Sequence, residues 1–238
     1  MKQTKIPAFL IGGLLAALSS SHAATLTWTD TAFTNANQIV KGTTLLAYNF
    51  GSSTDVTING VTFSGDPGAA QAIAGNIKWG SSDVSSGDSA AGYSELGLAG
   101  FQTGDELALL NSFTYGNSQG DGFAIEGLSI GTTYTIQALV VDNRGSFTGR
   151  FLHFSRDGST WDDLLVDYTS FSDGGQNYAR LVETTFVANA TTQAFRQGIQ
   201  GTGEIHFNAL QVTAVPEPSS LALSALGSLS LLGLRRRK

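Results

Sequence analysis

The stretch Thr57-Ile-Asn-Gly-Val-Thr62 decides the fold of this chain. Its Asn-Gly pair stands between alternating apolar and hydroxyl side chains, and both central positions of a type I′ turn require a positive φ. The stretch therefore predicts a tight β-hairpin. A second stretch, 134–141, begins by alternating and ends apolar on both faces, which predicts a central strand between two layers.

Short runs rich in Val, Ile, Thr, Phe and Tyr recur between frequent glycines, which predicts many strands joined by turns. No repeat of roughly 20 to 50 residues supports a solenoid or a propeller. We therefore predict an all-β fold, a single antiparallel β-sandwich of jelly-roll type. The predicted strands are 25–28, 45–50, 55–63, 122–125, 134–141, 151–155, 164–168, 178–187, 193–196 and 204–213.

One segment predicts a short α-helix of two to three turns. Thr103 is the predicted N-cap, the acidic pair 105–106 would complement the helix dipole, and apolar residues recur at helical spacing as far as Phe113. The segments 80–92 and 116–122 are rich in Ser, Gly and Asp, so we predict loops there.

The C-terminal segment joins three features in a fixed order: Val215-Pro216-Glu217-Pro218, an apolar run at 221–234, and Arg235-Arg236-Arg237-Lys238. The run has 14 residues, three of them serine, whereas a full bilayer crossing takes about 20 apolar residues. The basic cluster favours a cytoplasmic end, which leaves the body of the protein outside. The prolines disfavour helix and predict an extended, accessible strip before the run.

This order resembles the PEP-CTERM sorting signal of bacterial exosortase substrates. The resemblance implies cleavage near Pro216, Glu217 and Pro218 by a membrane-embedded exosortase-type enzyme. It also implies transient anchoring in the inner membrane through a C-terminal transmembrane helix. The alternative is an ordinary C-terminal tail anchor.

The N-terminal segment has the parts of a secretory signal peptide. Lys2 and Lys5 precede an apolar run at 6–18, and Ser21-His22-Ala23 offers small residues for cleavage by signal peptidase after Ala23. A retained membrane helix is disfavoured because the run is too short to span a bilayer. The predicted organisation is a signal peptide at 1–23, a β-sandwich domain at 24–214 and a sorting signal at 215–238.

The predicted mature body is acidic. Between the two terminal segments lie 7 basic and 18 acidic residues, a net charge of −11 over 191 residues. Such a body repels phosphate backbones, so we expect no nucleic-acid partner. The chain has no cysteine, so its fold depends on core packing rather than disulfides.

Six segments of the body, at 45–51, 57–63, 109–116, 127–134, 142–145 and 208–212, together resemble an uncharacterised sandwich module of secreted PEP-CTERM proteins. Its architecture is similar to galactose-binding-like and malectin-like sandwiches. The resemblance implies the sandwich fold and carries no ligand or binding residue with it.

No motif in the body predicts catalysis. His153 and His206 stand between apolar residues of predicted strands, which favours strand-face histidines over ligands or bases. The acids Glu126, Glu183 and Glu204 do not share the close spacing of a carboxylate set on one strand. We therefore expect no enzyme, with a secreted jelly-roll glycoside hydrolase as the alternative.

The residue types indicate two candidate binding sites, one for a metal ion and one for a sugar. Asp157, Asp162 and Asp163 surround a glycine as Ca²⁺ ligands would, although no Glu closes a twelve-residue loop and a β-turn explains the spacing equally well. We therefore predict no resident cofactor, with Ca²⁺ as the ion that these residues would favour.

Aromatic rings beside loops are the second kind of site, because a sugar presents an apolar face that stacks on an exposed ring. The candidates are Trp79, Tyr93, Tyr115 and Trp161, each of which could equally cap the core. The sequence therefore predicts a non-catalytic protein of the bacterial cell surface or extracellular matrix, with extracellular polysaccharide as its partner. The alternatives are the hydrolase and a self-associating structural matrix protein.

Overall fold

The computed structural model describes residues 26–66, 77–79, 84–88, 104–116, 122–142, 150–154, 164–167, 172–173, 176–177, 179–200 and 205–216. Within these ranges the chain forms strands, one six-residue α-helix, α1 (Asp105–Leu110), and one 3-10 turn, Ala36–Gln38. The strands are β1 (Thr29–Phe33), β2 (Thr43–Phe50), β3 (Val56–Ile58), β4 (Val61–Asp66), β5 (Ile77–Trp79), β6 (Val84–Asp88), β7 (Ser112–Gly116), β8 (Gly122–Glu126), β9 (Thr133–Val140), β10 (Phe151–Phe154), β11 (Leu164–Asp167), β12 (Ser172–Asp173), β13 (Gln176–Asn177), β14 (Ala179–Val187), β15 (Thr192–Gln200), β16 (Ile205–Phe207) and β17 (Ala209–Ala214).

The larger layer is a seven-stranded sheet in the order β1-β14-β9-β17-β2-β4-β3. Its neighbours pair antiparallel except β2 and β4, which run parallel over three residue pairs. Most neighbours in this order are far apart in sequence, as expected for a jelly-roll type of sandwich rather than a simple meander. A five-stranded sheet, β11-β10-β15-β8-β5, and a three-stranded sheet, β16-β7-β6, form separate ladders.

Aromatic side chains connect the sheets in one continuous core. Phe186 of the seven-stranded sheet meets Phe195 of the five-stranded sheet edge-on, with ring centroids 4.9 Å apart. Phe123 then contacts both Phe195 and Phe207, at 5.3 and 5.7 Å. Such rings bury large apolar areas and supply the packing that a protein without disulfides requires. The structure thus confirms the predicted all-β sandwich with one short helix.

The hairpin forms as predicted. Asn59 and Gly60 have φ of 50° and 80°, the positive values that the type I′ turn requires, and they join β3 to β4. The predicted strand at 134–141 is also confirmed, because β9 lies between β14 and β17 and is buried on both faces over most of its length.

The helix prediction is wrong at its C-terminal end. α1 ends at Leu110, and Phe113 belongs to β7, where it is 1% exposed. The ladders with β6 and β16 keep this segment extended, because pairing across both edges outweighs local helical spacing. The residue at the N-cap position is Gly104 rather than the predicted Thr103.

The structure also differs from the sequence prediction at β6, at the first strand and at residue 208, besides smaller shifts of other strand ends. β6 occupies part of the predicted loop at 80–92, because its backbone pairs with β7 despite a Ser- and Gly-rich composition. The first strand begins at Thr29, where pairing with Glu183 starts, so residues 26–28 precede it. The predicted strand at 204–213 is interrupted at Asn208 into β16 and β17.

Candidate functional site

β17 delivers the chain to the predicted sorting segment from the middle of the larger sheet. It pairs with β9 on one side and β2 on the other. One residue beyond it, the backbone N–H of Val215 still donates to the carbonyl of Thr133, at 2.8 Å. Pro216 follows and has no N–H to continue the ladder. The predicted extended strip therefore leaves the folded body at a fixed point, with no intervening linker.

The neighbouring strand ends lie beside this point. Val187 ends β14 opposite Thr133, the first residue of β9. The turn that contains Ile130 is held to the residue after Val187, because Gly131 donates to the carbonyl of Ala188 at 2.8 Å. We call the group of Ile130, Thr133, Val187 and Val215 the exit end of the sandwich.

Asn208 fixes the other end of β17. Its side-chain oxygen accepts from the N–H of Val141 at 2.7 Å, and its amide donates to the carbonyls of Leu110 and Ser112, each at 3.0 Å. Asn208 is fully buried, so all three bonds are made out of contact with water. The residue ties α1, β7 and β9 to the start of the strand that carries the sorting segment.

His206 belongs to the same buried network. Its Nε2 lies 2.7 Å from the carbonyl of Val141, and its ring stacks on Phe113 with centroids 4.2 Å apart. His153 lies in β10, half-buried and paired with Leu165. Both histidines occupy strands, as the sequence predicted. Asn208 was not predicted as a key residue, and the only signal for it in the sequence is a polar side chain inside an apolar strand run.

A polar row crosses the outer face of the larger sheet. Gln137 accepts from the N–H of Val40 at 2.8 Å and donates to the carbonyl of Gln38 and to Glu183, each at 2.7 Å. Gln211 donates to the carbonyl of Val40 at 2.8 Å. These bonds hold the segment that leads from the 3-10 turn to β2 across the sheet. Glu183 is therefore an acceptor in a structural network.

Two other acidic side chains of the described residues pair with arginines. Arg180 makes two bonds to Asp30, Nε to Oδ1 at 2.8 Å and Nη2 to Oδ2 at 2.7 Å. Arg150 lies 3.6 Å from the fully buried Asp142. Such pairs position strands and restrain side chains.

The predicted aromatic platforms are only partly within the described residues. Tyr115 lies in β7, not in a loop, and its half-buried ring packs 5.7 Å from Phe113. Trp79 ends β5, where it pairs with Phe123 in the ladder. Both residues lie at or near the C-terminal end of a strand, next to the segments 80–92 and 116–122 that the sequence predicted as loops. Tyr93 and Trp161 lie outside the described residues.

The predicted ion site and most predicted processing residues also lie outside the described residues. They are Asp157, Asp162 and Asp163, and Ala23, Glu217, Pro218, Arg235, Arg236, Arg237 and Lys238. Across the described ranges, no three His, Cys, Asp or Glu side chains converge as metal ligands. Among the helices in those ranges, none has the length and apolar character needed to cross a membrane.

Comparisons with known proteins identify the C-terminal segment. No curated protein matches the sequence. A β-glucuronidase of Bacteroides uniformis is similar in structure, with a TM-score of 0.47, 13% identity, and coverage of 72% of this chain but 18% of its own. A calcium-binding mutant of B. uniformis β-glucuronidase 2 gives a TM-score of 0.46 at 14% identity, with the same coverage. This chain thus spans less than a fifth of the length of those proteins.

The family model for the PEP-CTERM protein-sorting motif matches residues 214–238. The match begins at the last residue of β17 and includes the proline pair, the apolar run and the basic cluster. The chain therefore carries a PEP-CTERM sorting motif, which marks it as an exported protein that an exosortase-type enzyme sorts toward the cell surface.

Proposed function

We propose that this protein is a non-catalytic component of the cell surface or extracellular matrix, released from its membrane tail and associated with extracellular polysaccharide. The observation that carries the proposal is the direct continuation of the central strand β17 into the sorting motif. The sorting motif thus follows directly on a folded sandwich whose sequence is acidic. In this proposal the sandwich body has the architecture of galactose-binding-like domains.

Processing is tested by intact mass. We expect the protein recovered from cells and medium to lack the apolar run at 221–234, and the variant Pro216→Ala/Glu217→Ala/Pro218→Ala to retain it. The matched control is Ser219→Ala/Ser220→Ala, which changes two neighbouring residues and leaves the motif intact. A wild-type final product that still carries Lys238 would contradict the processing step.

Polysaccharide binding is tested on a glycan array with the processed protein. Trp161 is the first residue to change, because its sequence neighbours include Ser159 and Asp162, and a stacking face with polar neighbours suits a sugar. We expect Trp161→Ala to lose binding at least tenfold, while Leu165→Ala, which removes an exposed apolar side chain from β11, leaves binding unchanged. Absence of binding to any glycan would contradict this part of the proposal.

The absence of catalysis is tested with the same polysaccharides. Support comes from the contacts of Glu183, Asp30 and Asp142, which are engaged by Gln137, Arg180 and Arg150 respectively. We expect no release of reducing sugar. Release that is abolished by Glu126→Gln or Glu204→Gln would identify a hydrolase instead, and sedimentation as large oligomers would favour the self-associating matrix protein.

A further inference from the structure

The exit end exposes apolar side chains to an unusual degree. Among the described residues five large hydrophobic side chains are exposed, and three of them, Ile130 (67%), Val187 (48%) and Val215 (36%), belong to this end. Single exposed hydrophobic residues are ordinary, whereas several at one place indicate a surface that meets something apolar.

These side chains share one edge of the larger sheet. Val187 pairs with Thr133, and Val215 donates to the carbonyl of Thr133 from the other side. With strands about 4.8 Å apart, the two valines lie about 10 Å from each other across three neighbouring strands. Ile130 stands in the turn that is bonded to the residue after Val187. Together they form an apolar tip around the point where the chain leaves the body.

The charge around this tip differs from that of the body as a whole. The segments that reach the exit end, residues 39–44, 57–62, 127–133, 184–191 and 210–216, contain no carboxylate and one cation, Lys41. The nearest acids along the chain are the part-buried Glu126 and Glu183, the exposed Asp55, and Glu217 in the strip itself. Because the predicted mature body has a net charge of −11, this neutral end is where an anionic surface repels it least.

The length of the strip brings the exit end close to the bilayer. Only four residues separate Pro216 from Leu221, the start of the apolar run, so the two are five residue steps apart. Fully extended, they span at most about 18 Å. While the run is in the membrane, the exit end must stay within this distance of the bilayer.

We propose that, before cleavage, the exit end rests on the lipid bilayer, with Ile130, Val187 and Val215 in the interfacial region of the membrane that holds the tail. An apolar tip next to a neutral or cationic rim is the arrangement that binds a membrane interface without spanning it. The contact would hold the Pro-Glu-Pro strip at the membrane surface, where a membrane-embedded enzyme can reach it. The proposal depends on insertion of the tail and is independent of polysaccharide binding.

The absence of cysteine allows a direct test, because a single introduced cysteine accepts a fluorophore at one defined site. Full-length protein would be reconstituted in vesicles of phosphatidylethanolamine and phosphatidylglycerol, with an environment-sensitive probe at Ile130→Cys or Val187→Cys. The matched control is Leu165→Cys, an apolar position in β11 whose exposure of 46% is close to the 48% of Val187. Leu165 pairs with His153, which in turn pairs with Gly198 of β15. Gly198 lies six residues, or about 20 Å, along β15 from Thr192, the residue at which that strand begins.

We expect spin-labelled lipid to quench the probes at 130 and 187 at least threefold more than the probe at 165. Ile130→Asp combined with Val187→Cys should reduce quenching at 187 toward the control value, with an unchanged circular dichroism spectrum. Equal quenching at all three sites would overturn the proposal. A decrease in lipid quenching at 130 and 187 as the protein-to-lipid ratio rises would also overturn the proposal, because a second copy of the protein would then cover the tip.

A probe at Ser228→Cys, inside the apolar run, reports insertion of the tail separately. Strong quenching there together with unquenched probes at the exit end overturns membrane contact while leaving sorting intact. An unquenched probe at 228 would show that the apolar run is not inserted in the bilayer, and this result would also overturn the proposal. Loss of glycan binding in the processed protein would affect neither readout.

Discussion

Replacing Asn208 by alanine should be among the most destabilising single changes in the body. The substitution removes three buried hydrogen bonds and leaves the N–H of Val141 and the carbonyls of Leu110 and Ser112 without their partner. Each bond contributes about 1 kcal/mol net, and each unsatisfied buried group costs about 1 to 3 kcal/mol. With three groups affected, we therefore expect the free energy of unfolding to fall by at least about 3 kcal/mol, a large part of the roughly 5 to 15 kcal/mol of a typical domain.

Urea unfolding followed by circular dichroism measures this loss in the processed body. Asn189→Ala is the control, because Asn189 is exposed in the turn after β14 and its loss should change stability by less than about 0.5 kcal/mol. Ser112→Ala removes one bond, from Ser112 Oγ to Asn49, and should cost about 1 kcal/mol even if the asparagine variant does not fold. A loss below about 1 kcal/mol for Asn208→Ala would refute the reasoning.

Three further changes test other contacts. Gly65→Ala should lower the melting temperature more than Gly60→Ala, because a Cβ at Gly65 would meet backbone atoms within 2.6 Å, whereas one at Gly60 meets nothing and only the φ of 80° is strained; equal melting temperatures would contradict this. Gln137→Ala should speed hydrogen exchange at the N–H of Val40, which donates to the Gln137 side chain, and an unchanged exchange rate would contradict the role of that bond. Arg180→Met should cost about 1 kcal/mol or less at low salt and less still in 1 M NaCl, since the lost ion pair is only partly buried; a loss that does not depend on salt would point to packing instead.

The parts of the fold that depend on local chemistry were predictable from the sequence. The Asn59-Gly60 turn follows from the positive φ that each residue accepts, and β9 follows from a run that is apolar on both faces. The sorting motif is likewise local, since its three parts are consecutive along the chain. In each case the residues that form the signal lie within about 25 positions of one another along the chain.

The parts that depend on distant partners were not predictable. β6 has the composition of a loop and becomes a strand only because β7 pairs with it. Phe113 has helical spacing with α1 yet lies in a strand, because that position buries its ring completely. The parallel pairing of β2 with β4 and the contacts of Asn208 join residues from different parts of the chain. The exit end is a further example, since its members come from three separate strand ends.

The central place of β17 also sets an order of events in the life of the chain. Its pairing with β2 joins residues such as Ala214 and Thr43, which are 171 positions apart, so the larger sheet closes only when its last strand arrives. Contacts this distant in sequence form slowly. Until then β2 and β9 present unpaired edges that favour aggregation. A chain that ends before Ala209 would lack both β17 and the sorting motif. Such an incomplete product would therefore neither fold nor be retained at the membrane.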